Sequence, residues 1–162
     1  MKHQPVEAQI DAFLAKYSPE VSAELSAARA HLRALFPNGH ELVYDNYNAL
    51  VFAFSPTERT PDAFLSVAGY PKWVTLFFLP GAGLHDPSGL LQGSGSKVRS
   101  VRLRCAQQLS EPAVQALIAQ AIAPHREALL SARPLHTTVK MVSVKQRPRL
   151  PAEHTAKRNN AA

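Results

Sequence analysis

The hydrophobic period of the chain changes twice, and this change constrains the fold more than any other feature. Apolar residues recur at helical spacing over 6–17 and 21–35, with Ser18 placed as the N-cap of the second helix. The middle of the chain holds short segments rich in β-branched and aromatic residues, separated by Pro, Asn, Gly and Asp. Helical spacing returns over 114–122. This order predicts an α+β fold with N-terminal helices, an antiparallel sheet of about five to six strands and a C-terminal helix.

The short middle segments are the expected strands. They are "ELVYDNY", "ALVFAF", "AFLSVAGY", "WVTLFFL" and "VRSVRLRC", and "TTVKMVSV" could form a sixth. An antiparallel sheet that carries its helices on one face leaves the other face to water, a ligand or a partner. We therefore expect function on that open face.

The net basic charge lies after residue 132. Residues 1–132 contain 11 basic and 11 acidic residues, whereas 133–162 contain seven basic residues and one acidic residue, which accounts for the net charge of +6. We predict a single α+β domain over 1–132 and a basic extension over 133–162, which forms one strand or none and is unstructured from residue 145. The extension could associate with nucleic acid non-specifically, or could be solvated without a fixed partner.

Cysteine content and hydropathy exclude several classes of protein. Cys105 is the only cysteine, so no intramolecular disulfide or four-cysteine metal site can form. The N-terminal residues do not resemble a secretory signal, and the apolar stretch that begins at Trp73 is much shorter than the roughly 18 residues of a membrane span. We expect a cytoplasmic protein with no membrane partner and no cofactor.

The glycine-rich stretch "LLQGSGSKVRSVRL" at 90–103 raises the question of a phosphate site. A P-loop needs G-x-x-x-x-G-K-[ST] between a strand and a helix, but here the glycines lie too close together and a strand follows. A simpler anion site built from loop amides, Lys97 and Arg99 remains open beside a flexible connection. The whole loop over 80–97 is unusually long for a compact domain, and such loops are often functional or mobile.

Three further groups of residues are candidates for ligand contacts. Arg102 and Arg104 alternate onto one strand face and could hold a carboxylate or phosphate, or only keep that face solvated. Tyr44, Asp45 and Tyr47 could line a pocket with Trp73, although a hairpin turn explains them equally. The third group could bind a metal ion, since its members share one side of a helix at i, i+4 and i+8: His3, Glu7 and Asp11.

Motifs that identify an enzyme are lacking from the sequence. No histidine pair has metalloprotease spacing, and neither a G-x-S-x-G elbow nor a dinucleotide fingerprint occurs. Cys105 alternates with the core side of a strand, which is typical of a small apolar residue rather than a nucleophile. We therefore lean towards a protein without catalytic activity.

Over residues 8–123 the order of segments resembles the bacterial YdhG-like family of domains of unknown function. The resemblance is carried by "ELVYDNYNALVFAF", "WVTLFFLPGAGL", "GSGSKVRSVRL" and "SEPAVQALIAQAIA", and Gly95, Lys97, Arg99 and Arg102 match the family pattern. The resemblance implies an α-β-α arrangement similar in outline to frataxin, with no common established activity. Some members have been regarded as iron chaperones, which would assign a metal to the first helix.

These observations lead to one main hypothesis and two alternatives. The main hypothesis is a non-enzymatic binding domain whose open sheet face and 80–97 loop receive a small anionic ligand or a partner protein. The alternatives are a weak iron or metal chaperone on the first helix, and non-specific nucleic-acid association through the basic extension.

Overall fold

The structure is a computed structural model that describes residues 4–151. In this part of the chain, two helices precede a six-stranded sheet and two more lie between its fifth and sixth strands. The helices are α1 (Val6–Leu14), α2 (Pro19–Leu35), α3 (Pro112–Ile122) and α4 (Arg126–Leu130). The strands are β1 (His40–Asp45), β2 (Leu50–Ser55), β3 (Leu65–Gly69), β4 (Val74–Phe78), β5 (Arg99–Leu103) and β6 (His136–Val142). As predicted, Ser18 caps α2: its hydroxyl accepts a hydrogen bond from the Val21 amide at 3.3 Å.

The sheet has the strand order β5-β4-β3-β2-β1-β6, which confirms the α+β class and the expected number of strands. Neighbouring strands from β1 to β5 are antiparallel, but β6 runs parallel to β1. The prediction of an antiparallel sheet is therefore wrong at this strand. The reason is that α3 and α4 carry the chain across the sheet and return it beside the start of β1, where His136 pairs with His40.

The main core lies between the helices and one face of the sheet. Phe52 and Phe54 on β2 and Leu76 and Phe78 on β4 are fully buried there. They pack with the apolar stripes that the sequence predicted for the three longer helices. Burial of this apolar face is the dominant contribution to stability in a domain of this kind.

The other face of the sheet offers less free surface than predicted. Ala53, Ser66, Ala68 and Thr75 point to this side from the central strands, and all four are buried. Near the end of β2 a second small apolar cluster contains Ala63, because the segment after β2 folds back over the sheet.

Buried charges attach the helices to the sheet on its β1 side. Glu41 of β1 is fully buried and accepts hydrogen bonds from Arg29 at 2.8 and 2.9 Å. Arg33 and Thr137 also donate to this carboxylate. Burial alone would lower the pKa of Arg29, but its hydrogen bonds to Glu41 and Glu7 outweigh this and raise it.

The C-terminal segment after β6 is ordered against the domain as far as the described chain extends. The guanidinium of Arg149 is buried and donates to the Tyr17 hydroxyl at 2.8 Å and to Asp45 at 3.0 Å. The Ser143 amide donates to the carbonyl of Asp45 at the end of β1, and the Arg147 amide donates to the carbonyl of Tyr47 in the loop that follows. The prediction of an unstructured end from residue 145 is therefore wrong over 145–150, because this segment neutralises a buried carboxylate; residues 152–162 lie outside the described part.

Candidate functional site

A cleft lies at the end of the sheet where β4 stops and β5 begins. It has a volume of about 600 Å³ and separates the 80–97 loop from the short 3-10 turn Thr60–Asp62. Its polar lining includes Thr60, Asp62, Ser96, Lys97 and His125. A volume of this size is within the usual range for small-molecule sites.

The far part of the 80–97 loop is anchored to α3. The Gln120 side chain donates to the backbone carbonyl of His85 at 2.9 Å and accepts from the His85 amide at 2.8 Å, so it holds this residue as a second strand would. Asp86 then accepts the amides of Leu90 and Leu91 at 3.0 and 2.8 Å. Side-chain hydrogen bonds therefore hold residues 85–91 of the loop in place, and this part is not the flexible connection that the glycines allowed.

The near part of the loop is fixed to the edge of the sheet by backbone contacts. Gln92 exchanges two hydrogen bonds with Ser100 of β5, at 2.8 and 2.9 Å. Gly81 packs so closely on Arg99 that an added Cβ would lie 2.7 Å from the Arg99 Cβ. The Arg99 guanidinium donates to the carbonyls of Gly95 and Val98, which makes Arg99 a brace of the loop. These contacts position the backbone that carries Lys97.

Lys97 and His125 supply the hydrogen-bond donors of the cleft. Lys97 is exposed, and within residues 4–151 its ammonium group has no carboxylate or hydrogen-bond partner. The His125 ring stacks on Phe64 with ring centroids 4.9 Å apart, and its nitrogens likewise have no partner in the described chain. An ammonium group can hold a carboxylate or phosphate through a charge-assisted hydrogen bond, and an imidazole in the same cleft can donate a second hydrogen bond to it.

Asp62 belongs to the lining of the same cleft. Its carboxylate accepts a hydrogen bond from the Thr57 hydroxyl at 2.7 Å, which fixes its position. A carboxylate still has further lone pairs after one such bond, so Asp62 can accept from a hydroxyl or amino group of a ligand. The lining therefore offers groups for an anion and an acceptor for a hydrogen-bond donor.

The arginines predicted on β5 do not join Lys97 in this cleft. Arg102 and Lys97 are five residues apart, roughly 15 Å along an extended chain. The Arg102 guanidinium instead lies 3.7 Å from the ring centre of Trp73, a residue that was expected beside Tyr44 and Tyr47. Arg104 forms an exposed ion pair with Glu111 instead. The structure thus divides the predicted basic site into two separate places.

The predicted pocket around Tyr44, Asp45 and Tyr47 does not form. Asp45 is fully buried between Lys16 and Arg149, so it is not available to a ligand, and its assignment as a binding residue is corrected. The burial of Asp45 could not be predicted from the sequence, because both cations lie far from Asp45 along the chain. Tyr44 bonds the Thr60 hydroxyl on the outer face, whereas Tyr47 is exposed beside Arg147.

One of the predicted metal residues, Glu7, is already held by a guanidinium. Glu7 forms two hydrogen bonds with Arg29, and the bonded guanidinium lowers the pKa of the Glu7 carboxyl. Asp11 is exposed, and His3 lies outside the described residues. From residue 4 to residue 151, no three His, Cys, Asp or Glu side chains are grouped to hold a metal ion.

Sequence reasoning missed Asp62 and His125. Both follow a proline at the start of a short 3-10 turn, at Pro61 and Pro124. The prolines predicted only a break in the chain. Asp62 and His125 reach the same cleft because Phe64 stacks on His125.

Comparisons with known proteins do not assign the chain to a family. No family model matches it, and neither a curated protein nor a solved structure is significantly similar. In the described residues, no helix is long and apolar enough to cross a membrane.

Proposed function

We propose that the chain is a YdhG-like, non-enzymatic binding domain that receives a small anionic ligand in the cleft beside the 80–97 loop. The observation that carries this proposal is the presence of Lys97 and His125 in the lining of one cleft of about 600 Å³, where neither ammonium nor imidazole nitrogen has a hydrogen-bond partner in the described part of the chain. A solvated lysine is common on any surface, but here its backbone is held by the braced loop. The ligand would be a carboxylate or phosphate ester of metabolite size.

The polarity of the cleft narrows the class of ligand further. Lys97 and His125 fit the anionic group, and Asp62 fits a hydroxyl or amino group of the same molecule. Leu79 and Ala63 supply apolar contacts in the lining of the cleft. A hydroxy acid, an amino acid or a sugar phosphate has this combination of groups.

The structure gives the alternative functions less support. The metal-chaperone hypothesis needs a free Glu7 carboxylate, but Arg29 occupies that carboxylate. Nucleic-acid association through the extension would use its arginines, but Arg149 already forms an ion pair with Asp45 within the fold. A partner protein on the sheet face would meet mainly small buried side chains, such as Ala68 and Ser66.

The test is an NMR titration of the full chain, with amide shifts measured against a panel of phosphate, citrate, malate, glutamate and glucose 6-phosphate. We expect at least one anion to shift amides of 81–83, 96–98 and 125, and Lys97→Gln to weaken that ligand about tenfold, since a charged hydrogen bond contributes about 1.5 to 3 kcal/mol. Arg102→Ala is the matched control and should change affinity less than twofold.

Each alternative result has a definite meaning. Loss of affinity in Arg102→Ala but not in Lys97→Gln would move the site to the Trp73 edge and overturn the cleft assignment. Absence of saturable shifts with every anion of the panel would contradict a small anionic ligand.

A further inference from the structure

A second surface combines exposed apolar side chains with positive charge. It is the corner formed by Tyr47 in the β1–β2 connection and by residues 141–147 at the end of β6. Tyr47, Met141, Val142 and Val144 are 41%, 48%, 49% and 105% exposed. They are four of the seven large apolar residues that are exposed in the described chain, so the exposed apolar surface is concentrated here.

Backbone contacts hold the two segments of the corner together. Met141 and Val142 pair with Tyr44 and Asp45 of β1, and as consecutive strand residues they point to opposite sides of the sheet edge. Farther along, the Arg147 amide donates to the carbonyl of Tyr47 at 2.8 Å, and the Arg147 guanidinium lies 5.5 Å from the centre of the Tyr47 ring. Val144 is fully exposed between these two attachment points.

The charge of the corner is positive in spite of the buried carboxylate beneath it. Asp45 is contacted by both Lys16 and Arg149, so two cations already face one carboxylate. Lys145 and Arg147 add two more exposed cations with no carboxylate partner within residues 4–151. The five charged groups therefore sum to +3.

We propose that this corner is a peripheral contact for an anionic lipid surface. Aliphatic side chains that project from a convex corner can enter the boundary of the acyl region, and lysine and arginine beside them attract anionic headgroups. Tyr47 has the amphipathic ring that is favoured at such an interface. Exposed cations alone would also suit nucleic-acid phosphates, but the exposed valines beside them favour a lipid surface over nucleic acid.

This proposal differs from the expectation of no membrane partner, which rested on the lack of a spanning segment. A peripheral contact needs no span. It also does not depend on the anion cleft, because Lys97 and His125 contribute nothing to the corner.

The test is flotation of the full chain with vesicles of phosphatidylcholine containing about 30% phosphatidylglycerol, compared with vesicles of phosphatidylcholine alone. We expect binding to the anionic vesicles and at least about fivefold weaker binding to the neutral ones, since each surface cation contributes about 1 kcal/mol. Val144→Glu should weaken anionic binding about tenfold without unfolding the protein, because Val144 contacts nothing. Leu130→Glu is the matched control, since Leu130 is 74% exposed on α4, and it should bind like the unsubstituted chain.

Three results would overturn the lipid proposal. The first is no flotation with anionic vesicles at millimolar lipid. The second is equal binding by the Val144→Glu and unsubstituted chains, which would show that Val144 does not lie at the lipid contact. The third is tight binding of a short single-stranded DNA, weakened by Arg147→Gln, in the absence of vesicle binding; that result would assign the corner to nucleic acid.

Discussion

Replacement of Arg149 by methionine should destabilise the domain strongly, although Arg149 lies in a segment that reads as a disordered basic end. The Arg149 side chain is almost fully buried and donates to Tyr17, Asp45 and the Asn46 carbonyl. Removal of one partner of a buried ion pair usually costs about 3 to 5 kcal/mol, because the remaining charge stays buried. Lys16 still contacts Asp45 at 2.6 Å, so we expect the lower end, about 3 kcal/mol.

Urea unfolding followed by the fluorescence of Trp73, the only tryptophan, measures this change directly. Arg147→Met is the matched control two residues away; its side chain is exposed, so it should change the free energy of unfolding by less than about 0.5 kcal/mol. Combination of Arg149→Met with Asp45→Asn should cost less than the sum of the two single changes, since it removes both buried charges. If Arg149→Met proves as mild as Arg147→Met, the packing of this segment against Tyr17 and Asp45 is refuted.

Two further predictions concern the loop and the buried tyrosine. Gly81→Ala should weaken anion binding and cost about 1 to 3 kcal/mol, because its Cβ would clash with Arg99. Gly83→Ala should leave the free energy of unfolding unchanged, because nothing lies within 4 Å of an added Cβ. Urea unfolding measures both variants and the titration measures Gly81→Ala; equal losses of stability would contradict the close packing of the loop. Burial raises the pKa of Tyr17, so the unfolded chain loses this proton first and stability should fall as the pH rises above about 10. Thermal unfolding from about pH 9 to about pH 11 should show a smaller fall in Tyr17→Phe, with a residual fall from Tyr70, whose pKa burial also raises; an identical fall would refute the role of Tyr17.

Local signals predicted the helices and the first five strands well. Ser18 and Pro19 begin α2 because capping depends on residues within one turn, and the alternation in β5 reflects contacts with one neighbouring strand. Such signals do not contain the direction of a strand. β6 has the composition of any strand, and its parallel pairing follows from the path of the helices that precede it.

The candidate site was only partly predictable for the same reason. Lys97 and Arg99 were found because a glycine-rich stretch precedes a strand, although Arg99 proved to brace the loop. His125 carries no local signal, and it lies in the cleft through its stacking on Phe64. Asp45 was misassigned because Arg149, which neutralises it, is 104 residues away in the chain.

The most direct test of the anion cleft is native mass spectrometry of the protein purified gently from its own cells, beside its Lys97→Gln variant. We expect the unsubstituted protein to retain a small molecule that carries a carboxylate or phosphate. The Lys97→Gln variant should lose this molecule. Retention of the same molecule by both proteins would contradict the assignment of the site to Lys97, and a retained metal ion in its place would contradict the class of ligand.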